Sequence, residues 1–147
     1  MGSEMCIRDS CNASPAADGV PALLTMDAAV ELQSCRGRRV VPLASFITGN
    51  RKTVRAEDEM VSAILVPNTA TAGQGYFYKL GARRYLVISI GMVAMRLLCD
   101  TEQTIAEIAI AVGACSEVAT RLADLERHLC AHPVSYTHLT LPTILLV

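Results

Sequence analysis

Alternation of hydrophobic and polar positions predicts short strands in the first half of the chain. Residues 30–42 read as a β-hairpin, with Gly37 as the flexible position of its turn. Residues 60–66 form an apolar run that ends at Pro67, which cannot donate a hydrogen bond to a central ladder. The first half is therefore predicted to contain a hairpin and a further strand.

A second set of elements is predicted after residues 68–75, which are small, polar and typical of a linker. Strands are expected at residues 76–80, 93–98 and 105–112, and a short helix at residues 82–90. A longer helix, capped by Ser116, is predicted over residues 116–130 because apolar side chains recur there every three or four positions. The fold class is α+β.

The two ends of the chain depart from these patterns. Residues 1–10 show no periodicity, and residues 133–147 break the pattern that precedes them. Both strings resemble translated sequencing-adapter read-through. We expect them to be a non-native N-terminal extension and a non-native tail that lie outside the fold.

Composition narrows the possible partners and locations. The chain has 147 residues, of which 52% are hydrophobic and 18% charged, and its net charge is −1. These values exclude a mainly disordered chain and give no general attraction to nucleic acid or to an anionic membrane. The longest apolar run, residues 85–95, is shorter than the ~20 residues of a membrane-spanning helix. With no secretory signal pattern, we expect a cytoplasmic protein.

The six cysteines show neither a C-x-x-C pair nor a regular spacing. They predict reduced, mostly buried side chains rather than a disulfide framework. The sequence predicts no metal site in this chain.

Four segments, taken in order, carry a resemblance to a known family. They are NASPAAD at 12–18 with PALLTMDA at 21–28, FITGNRKT at 46–53, DEMVSAILVP at 58–67, and YFYKLGARR at 76–84. Together they resemble the FAD-binding medium subunit of molybdenum hydroxylases, the xanthine dehydrogenase and carbon monoxide dehydrogenase family. Residues 85–90 and 108–113 continue the resemblance, which covers about residues 11–132.

The resemblance implies a division of the chain into two truncated domains. Residues 11–68 are expected to form the second part of the FAD-binding domain, and residues 69–75 a linker. Residues 76–132 are expected to form a domain like the C-terminal domain of the carbon monoxide dehydrogenase flavoprotein. Because the family's glycine-rich pyrophosphate segments should lie before residue 12, we expect this chain alone to bind FAD weakly or not at all and to be inactive.

The resemblance also implies a role in electron transfer. Electrons would pass from iron–sulfur clusters through FAD to NAD or another acceptor. Molybdopterin and the 2Fe-2S clusters would belong to partner subunits, a molybdopterin-binding large subunit and an iron–sulfur small subunit. No nucleic acid or membrane partner and no catalytic residue of this chain are implied.

Four residues match positions that the resemblance assigns to FAD. Asp18 would contact the flavin or its ribityl hydroxyls, and Ser14 would assist in the same segment; a loop-closing turn residue is the alternative for Asp18. Lys79 would lie near the flavin ring and favour its negatively charged reduced form, the alternative being a solvated lysine on an edge strand. Val61 would pack against the isoalloxazine, with ordinary strand core as the alternative.

Two other readings of the whole chain remain open. It could be a non-catalytic α+β interaction module that docks partners, or an inactive truncated fragment. Flavin occupancy distinguishes the first of these from an FAD-binding subunit.

Overall fold

The computed structural model describes residues 3–83, 87–100 and 104–130. Within these ranges it contains the helices α1 (Ser3–Asn12), α2 (Gly19–Thr25), α3 (Leu43–Phe46) and α4 (Ala123–Cys130). The strands are β1 (Ala29–Ser34), β2 (Gly37–Pro42), β3 (Ile47–Gly49), β4 (Lys52–Thr53), β5 (Met60–Leu65), β6 (Gln74–Gly81), β7 (Ser89–Cys99), β8 (Ile105–Gly113) and β9 (Thr120–Arg121). None of the described helices has the length and apolar character needed to cross a membrane.

The first sheet has the strand order β2-β1-β5, and both pairings are antiparallel. Val30 and Leu32 of the central strand are fully buried, because residues two apart along a strand point to the same face. Gly37 occupies the hairpin turn with a φ of +139°, a conformation that glycine adopts without steric cost. The predicted hairpin and the predicted strand that follows it are therefore confirmed.

The second sheet is fully antiparallel, with the order β6-β7-β8-β9. One face carries Met92, Ala94 and Arg96 of β7 beside Ala109 and Ala111 of β8, and all five are buried. The strands predicted at residues 76–80, 93–98 and 105–112 lie within β6, β7 and β8. The small alanines let a helix approach this face closely.

Helix α2 links the two sheets through the hydrophobic core. Val20, Leu23 and Leu24 of this helix are buried in one cluster with Leu32 of the first sheet and Ala111 of the second. Full burial of a side chain of this size contributes roughly 1.5–3 kcal/mol to the free energy of unfolding. The helix therefore holds both sheets in a fixed relation to the segment that precedes it.

Two helix predictions in the second half are wrong. Of the helix expected at residues 82–90, the described residues 82–83 and 87–88 are not helical and β7 begins at Ser89. Residues 84–86 lie outside the described part of the chain. The helix expected from Ser116 begins only at Ala123, and the Ser116 hydroxyl donates to the Val118 carbonyl instead of capping it. Sheet pairing of β9 with β8 overrides the local helical spacing.

The N-terminal segment is better ordered than its pattern indicated. Residues 3–12 form α1, in which Cys6 and Ile7 pack against the hydrophobic core and Ser10 is fully buried. The pattern failed there because few of its residues are apolar. The predicted tail at residues 133–147 lies outside the described residues.

The prediction of mostly buried cysteines is also wrong. All six are free thiols, Cys6 is half-buried, and the other five are exposed: Cys11, Cys35, Cys99, Cys115 and Cys130. The buried core cluster consists of Ala, Val, Leu, Ile and Phe side chains, and Cys6 is the cysteine that packs against it.

An ion pair beside the first sheet makes stability depend on pH. The guanidinium of Arg39 donates from Nε to Glu59 Oε1 at 2.6 Å and from its second nitrogen to Oε2 at 2.7 Å, and the Ala56 amide donates to Oε2 at 2.8 Å. The hydrogen bonds from Arg39, followed by that from Ala56, lower the pKa of Glu59 to about 2. The ionised carboxylate is thus favoured by folding.

We expect Glu59→Gln to flatten the acid dependence of unfolding. Because the folded-state pKa lies below the ordinary value of 4.5, the stabilisation is fully present above that pH and is lost as pH falls toward 2. Urea unfolding at about pH 6 and about pH 3 should show a smaller difference for Glu59→Gln than for the wild type. Glu57→Gln removes an exposed neighbouring carboxylate and should keep the wild-type difference. An equal difference in unfolding free energy between the two pH values in all three proteins would contradict the role assigned to Glu59.

Candidate functional site

Asp18 and Lys79, two of the predicted site residues, meet between the two halves of the chain. Lys79 Nζ lies 2.6 Å from Asp18 Oδ2, and the Ser89 hydroxyl donates to Asp18 Oδ1 at 2.6 Å. The Asp18 and Lys79 side chains are 42% and 29% exposed, so a ligand can reach them, whereas Ser89 is buried. We call these three residues the Asp18 cluster.

Asp18 stands at the N-cap position of α2, yet its side chain makes no capping hydrogen bond. An N-cap aspartate usually accepts from a backbone amide of the first helical turn. Here both carboxylate oxygens face β6 and β7 instead. Asp18 therefore joins α2 to the second sheet instead of capping α2.

Strand register places Lys79 on the same face as the buried part of β7. Lys79 pairs with Met92, and cross-strand partners point to the same face of a sheet. Its neighbours Tyr78 and Leu80 point to the other face, where they are 73% and 64% exposed. The side chain of Lys79 thus reaches the beginning of α2 and is ion-paired, not a freely solvated lysine.

Backbone hydrogen bonds on both sides fix the loop that carries Asp18. Ser14 Oγ accepts from the Ala16 amide at 3.3 Å, and the Ser14 carbonyl accepts from the Ala17 amide at 3.0 Å. The Ala114 amide, just after β8, donates to the Pro15 carbonyl at 3.0 Å. Ser14 therefore shapes the loop, and the loop is attached to the end of the second sheet.

Val61 occupies a different place from the Asp18 cluster. It lies in β5, pairs with Leu32 and is 8% exposed within the hydrophobic core. These contacts match the ordinary strand core that the sequence left open as an alternative.

Ser89 is the member of the site that sequence reasoning missed. It stands in the apolar run Leu86 to Ile90 as a single polar residue, and it is 6% exposed. A buried hydroxyl needs a hydrogen-bond partner, which Asp18 supplies. The lone serine in an apolar run was the signal, but its partner lies 71 residues away and could not be read from local pattern.

A cavity of about 340 Å³ lies on the other face of β6 and β7, where the side chains of Tyr78, Leu80 and Val93 form most of its wall. Neither Asp18 nor Ser89 lines it. The Asp18 cluster itself offers a partly exposed ammonium donor and carboxylate acceptor, which suits the polar edge of a heteroaromatic ring. Among the residues that the structure describes, no group of three or more His, Cys, Asp or Glu side chains could hold a metal ion.

Comparison with known sequences identifies relatives of this chain. Residues 9–69 match the profile of the FAD binding domain in molybdopterin dehydrogenase. The FAD subunit of nicotinate dehydrogenase from Eubacterium barkeri is 36% identical over 80 residues, 52% of this chain and 27% of that protein. The medium subunit of nicotine 6-hydroxylase from Paenarthrobacter nicotinovorans is 31% identical over 104 residues, 71% of this chain and 35% of that protein.

Solved structures share the fold over most of the chain. Carbon monoxide dehydrogenase from Hydrogenophaga pseudoflava, in a form lacking the Mo-pyranopterin moiety, superposes with a TM-score of 0.79 at 24% identity over 88% of this chain and 44% of that chain. Quinoline 2-oxidoreductase from Pseudomonas putida 86 gives a TM-score of 0.77 at 20% identity over 87% of this chain and 44% of that one. The expected α+β fold is confirmed.

The matched region covers about a third of the curated relatives, which are subunits of oxidoreductases. The matched domain family is named for FAD, the cofactor that the resemblance implied. The family profile, the sequence relatives and the fold agree with the resemblance first carried by the four segments. The chain belongs to the family of FAD-binding medium subunits of molybdenum hydroxylases.

Proposed function

We propose that this chain is the part of an FAD-binding subunit that holds the flavin ring in a molybdopterin-dependent hydroxylase or dehydrogenase. The single observation that carries the proposal is the Asp18 cluster, a partly exposed ammonium and carboxylate with the carboxylate held by the buried Ser89 hydroxyl. When bound, FAD supplies the transfer of electrons from iron–sulfur clusters to NAD or another acceptor. The molybdopterin and the 2Fe-2S clusters belong to a large and a small partner subunit in the cytoplasm.

The donor set of the cluster fits a flavin. The polar edge of an isoalloxazine and the ribityl chain carry both acceptors and donors, and Lys79 and Asp18 offer the complementary groups. These residues would hold and orient the flavin, while Ser89 holds the carboxylate of Asp18.

The ion pair with Asp18 reduces the electrostatic effect of Lys79 on a bound flavin ring. An isolated ammonium beside the ring would favour negative charge on it, but the carboxylate of Asp18 at 2.6 Å offsets much of that field. Asp18 thereby limits how strongly the lysine binds an anionic ring. Ser14 contributes by fixing the loop before Asp18, and Val61 contributes as a residue of the hydrophobic core that also buries α2.

Titration of the purified chain with FAD, followed by flavin fluorescence, tests the proposal. We expect saturable, weak binding that falls by about tenfold in Lys79→Ala, the loss of about one charge-assisted hydrogen bond. Lys52→Ala removes an exposed lysine from β4 and should leave the affinity unchanged. Absence of saturable binding, or equal effects of the two substitutions, would refute a flavin site at Lys79.

The second candidate function is a non-catalytic interaction module. It is supported by large exposed apolar side chains near β6 and β7, namely Tyr78, Leu80, Ile88 and Ile90. Exposed apolar surface of this kind is typical of contact regions between proteins. The same titration discriminates the candidates, since an interaction module has no reason to bind flavin through Lys79.

A further inference from the structure

A separate cavity lies at the other end of α2 from Asp18. Its volume is about 430 Å³, within the range of small-molecule sites. Thr25 and Met26 from the end of α2, Ala70 from the 3₁₀ turn Asn68–Thr71, and Phe77 from β6 are among its walls. The lining is mainly apolar, and Arg96 is its charged member.

The absence of a side chain at Gly75 creates much of this space. Gly75 is the direct cross-strand partner of Arg96, so a side chain there would point to the same face as the arginine. A Cβ atom built on Gly75 would have no other heavy atom within 4 Å. The cavity is therefore open beside the arginine, and a larger residue at position 75 would enter it without a clash.

Arg96 is buried with one nitrogen left without a partner. Its Nε donates to the Thr25 carbonyl at 3.0 Å, and one terminal nitrogen pairs with Glu107. The residue is only 6% exposed. Its other terminal nitrogen, Nη1, is closed to solvent and makes no hydrogen bond. A buried unsatisfied donor is destabilising, and an incoming acceptor removes that penalty.

The surrounding charges decide what kind of acceptor suits this nitrogen. Glu107 already neutralises the guanidinium of Arg96, and the nearby Glu126 carboxylate is neutralised by Arg121. A further negative charge would be repelled by Glu107 and would find no unpaired cation among the residues that line the cavity. A neutral carbonyl oxygen can accept the hydrogen bond without that penalty.

We infer that this cavity binds a small, neutral, aromatic molecule through a carbonyl oxygen that accepts from Arg96. The ring lies between the Met26 and Phe77 side chains, and its carbonyl points toward Nη1. Because Nη1 is closed to solvent, binding includes a side-chain movement that opens this nitrogen to the cavity. This inference does not depend on the proposed flavin site, which lies at the opposite end of α2.

Acetophenone and benzoate form a matched pair of probes, because they have the same number of heavy atoms and differ in charge. Titration of the full chain, followed by NMR of the Ala94 methyl group and the Arg96 guanidinium, should show saturable binding of acetophenone. We expect affinity about tenfold higher for acetophenone than for benzoate. Gly75→Leu should abolish acetophenone binding by filling the cavity.

Gln74→Leu is the control, since it places the same side chain on the opposite face of β6 and should leave binding intact. Thermal unfolding of both variants verifies that they fold. No saturable shift, equal or tighter binding of benzoate, or retained binding in folded Gly75→Leu would each overturn the inference.

Discussion

Replacement of Arg121 by alanine is expected to destabilise the fold by about 3 kcal/mol, the largest effect of any substitution considered for this chain. Its guanidinium donates to Glu126 Oε1 at 2.7 Å and to Oε2 at 2.8 Å. Its other terminal nitrogen donates to Asp27 at 2.7 Å and to the Leu24 carbonyl at the end of α2 at 3.1 Å. One side chain thus joins β9, α4 and α2.

The main cost of the substitution arises at Glu126. This residue is 8% exposed, and its Oε1 also accepts from the Ile110 amide at 2.7 Å. Without Arg121, its carboxylate would remain buried without a charge partner, which is far more costly than the loss of an exposed pair. The end of α2 would lose a hydrogen bond at the same time.

Chemical denaturation of wild type, Arg121→Ala and Arg127→Ala measures the effect. Arg127 is an exposed arginine of α4 that pairs with Asp124, so its replacement should change stability by about 0.5 kcal/mol or less. Similar small losses for both arginine variants would contradict the role assigned to Arg121.

The stability difference between wild type and Arg121→Ala should also shrink in acid. Burial raises the pKa of Glu126, but the hydrogen bonds from Arg121 and from the Ile110 amide outweigh it and hold the pKa below its usual 4.5. A carboxylate with a lowered folded-state pKa stabilises the fold above that ordinary value, and the stabilisation is lost as pH falls through the folded-state pKa. A difference that stayed constant on acidification would exclude the ion pair as its cause.

Asp18→Ala is expected to have the second largest effect, a loss of about 2 kcal/mol. The substitution leaves the buried Ser89 hydroxyl and the Lys79 ammonium without their shared acceptor. It also removes the link from the start of α2 to the second sheet. Differential scanning calorimetry should therefore show a lower melting temperature.

A double-mutant cycle measures the energy of the Asp18–Ser89 contact separately from any other effect of replacing Asp18. The combined Asp18→Ala and Ser89→Ala variant should lose less stability than the two single losses summed, because the second substitution removes the unpaired hydroxyl. Asp124→Ala, at a position 94% exposed, serves as the matched control with little effect. Strictly additive losses at Asp18 and Ser89 would show that their contact carries no energy.

Local pattern predicted the elements whose hydrogen bonds join nearby residues. The hairpin at residues 30–42 and the strands within β5 to β8 follow from alternation and from a turn containing Gly37. The helix expected from Ser116 is wrong because residues 120–121 pair with β8, a contact that helical spacing does not reveal. Helix α1 was missed because its few apolar side chains obtain their burial from a core built by later residues.

The candidate site was predicted only in part for the same reason. Asp18 and Lys79 were found through the resemblance, and the structure brings them together although 61 residues separate them. Ser89 and Arg96 act through contacts across 71 residues each, and their residue types alone indicate no partner. Burial of a polar group identifies such residues only once the fold is known.

We propose that residues of the Asp18 cluster hold a flavin, and NMR of the chain titrated with FAD tests this most directly. Selective labelling of lysine, serine and glycine makes the signals of Lys79, Ser89, Gly73 and Gly75 observable. We expect the Lys79 and Ser89 signals to shift together and saturate, while those of Gly73 and Gly75, beside the cavity at the other end of α2, stay in place. Saturable shifts confined to residues outside the Asp18 cluster, or no shift at Lys79 at saturating FAD, would contradict it.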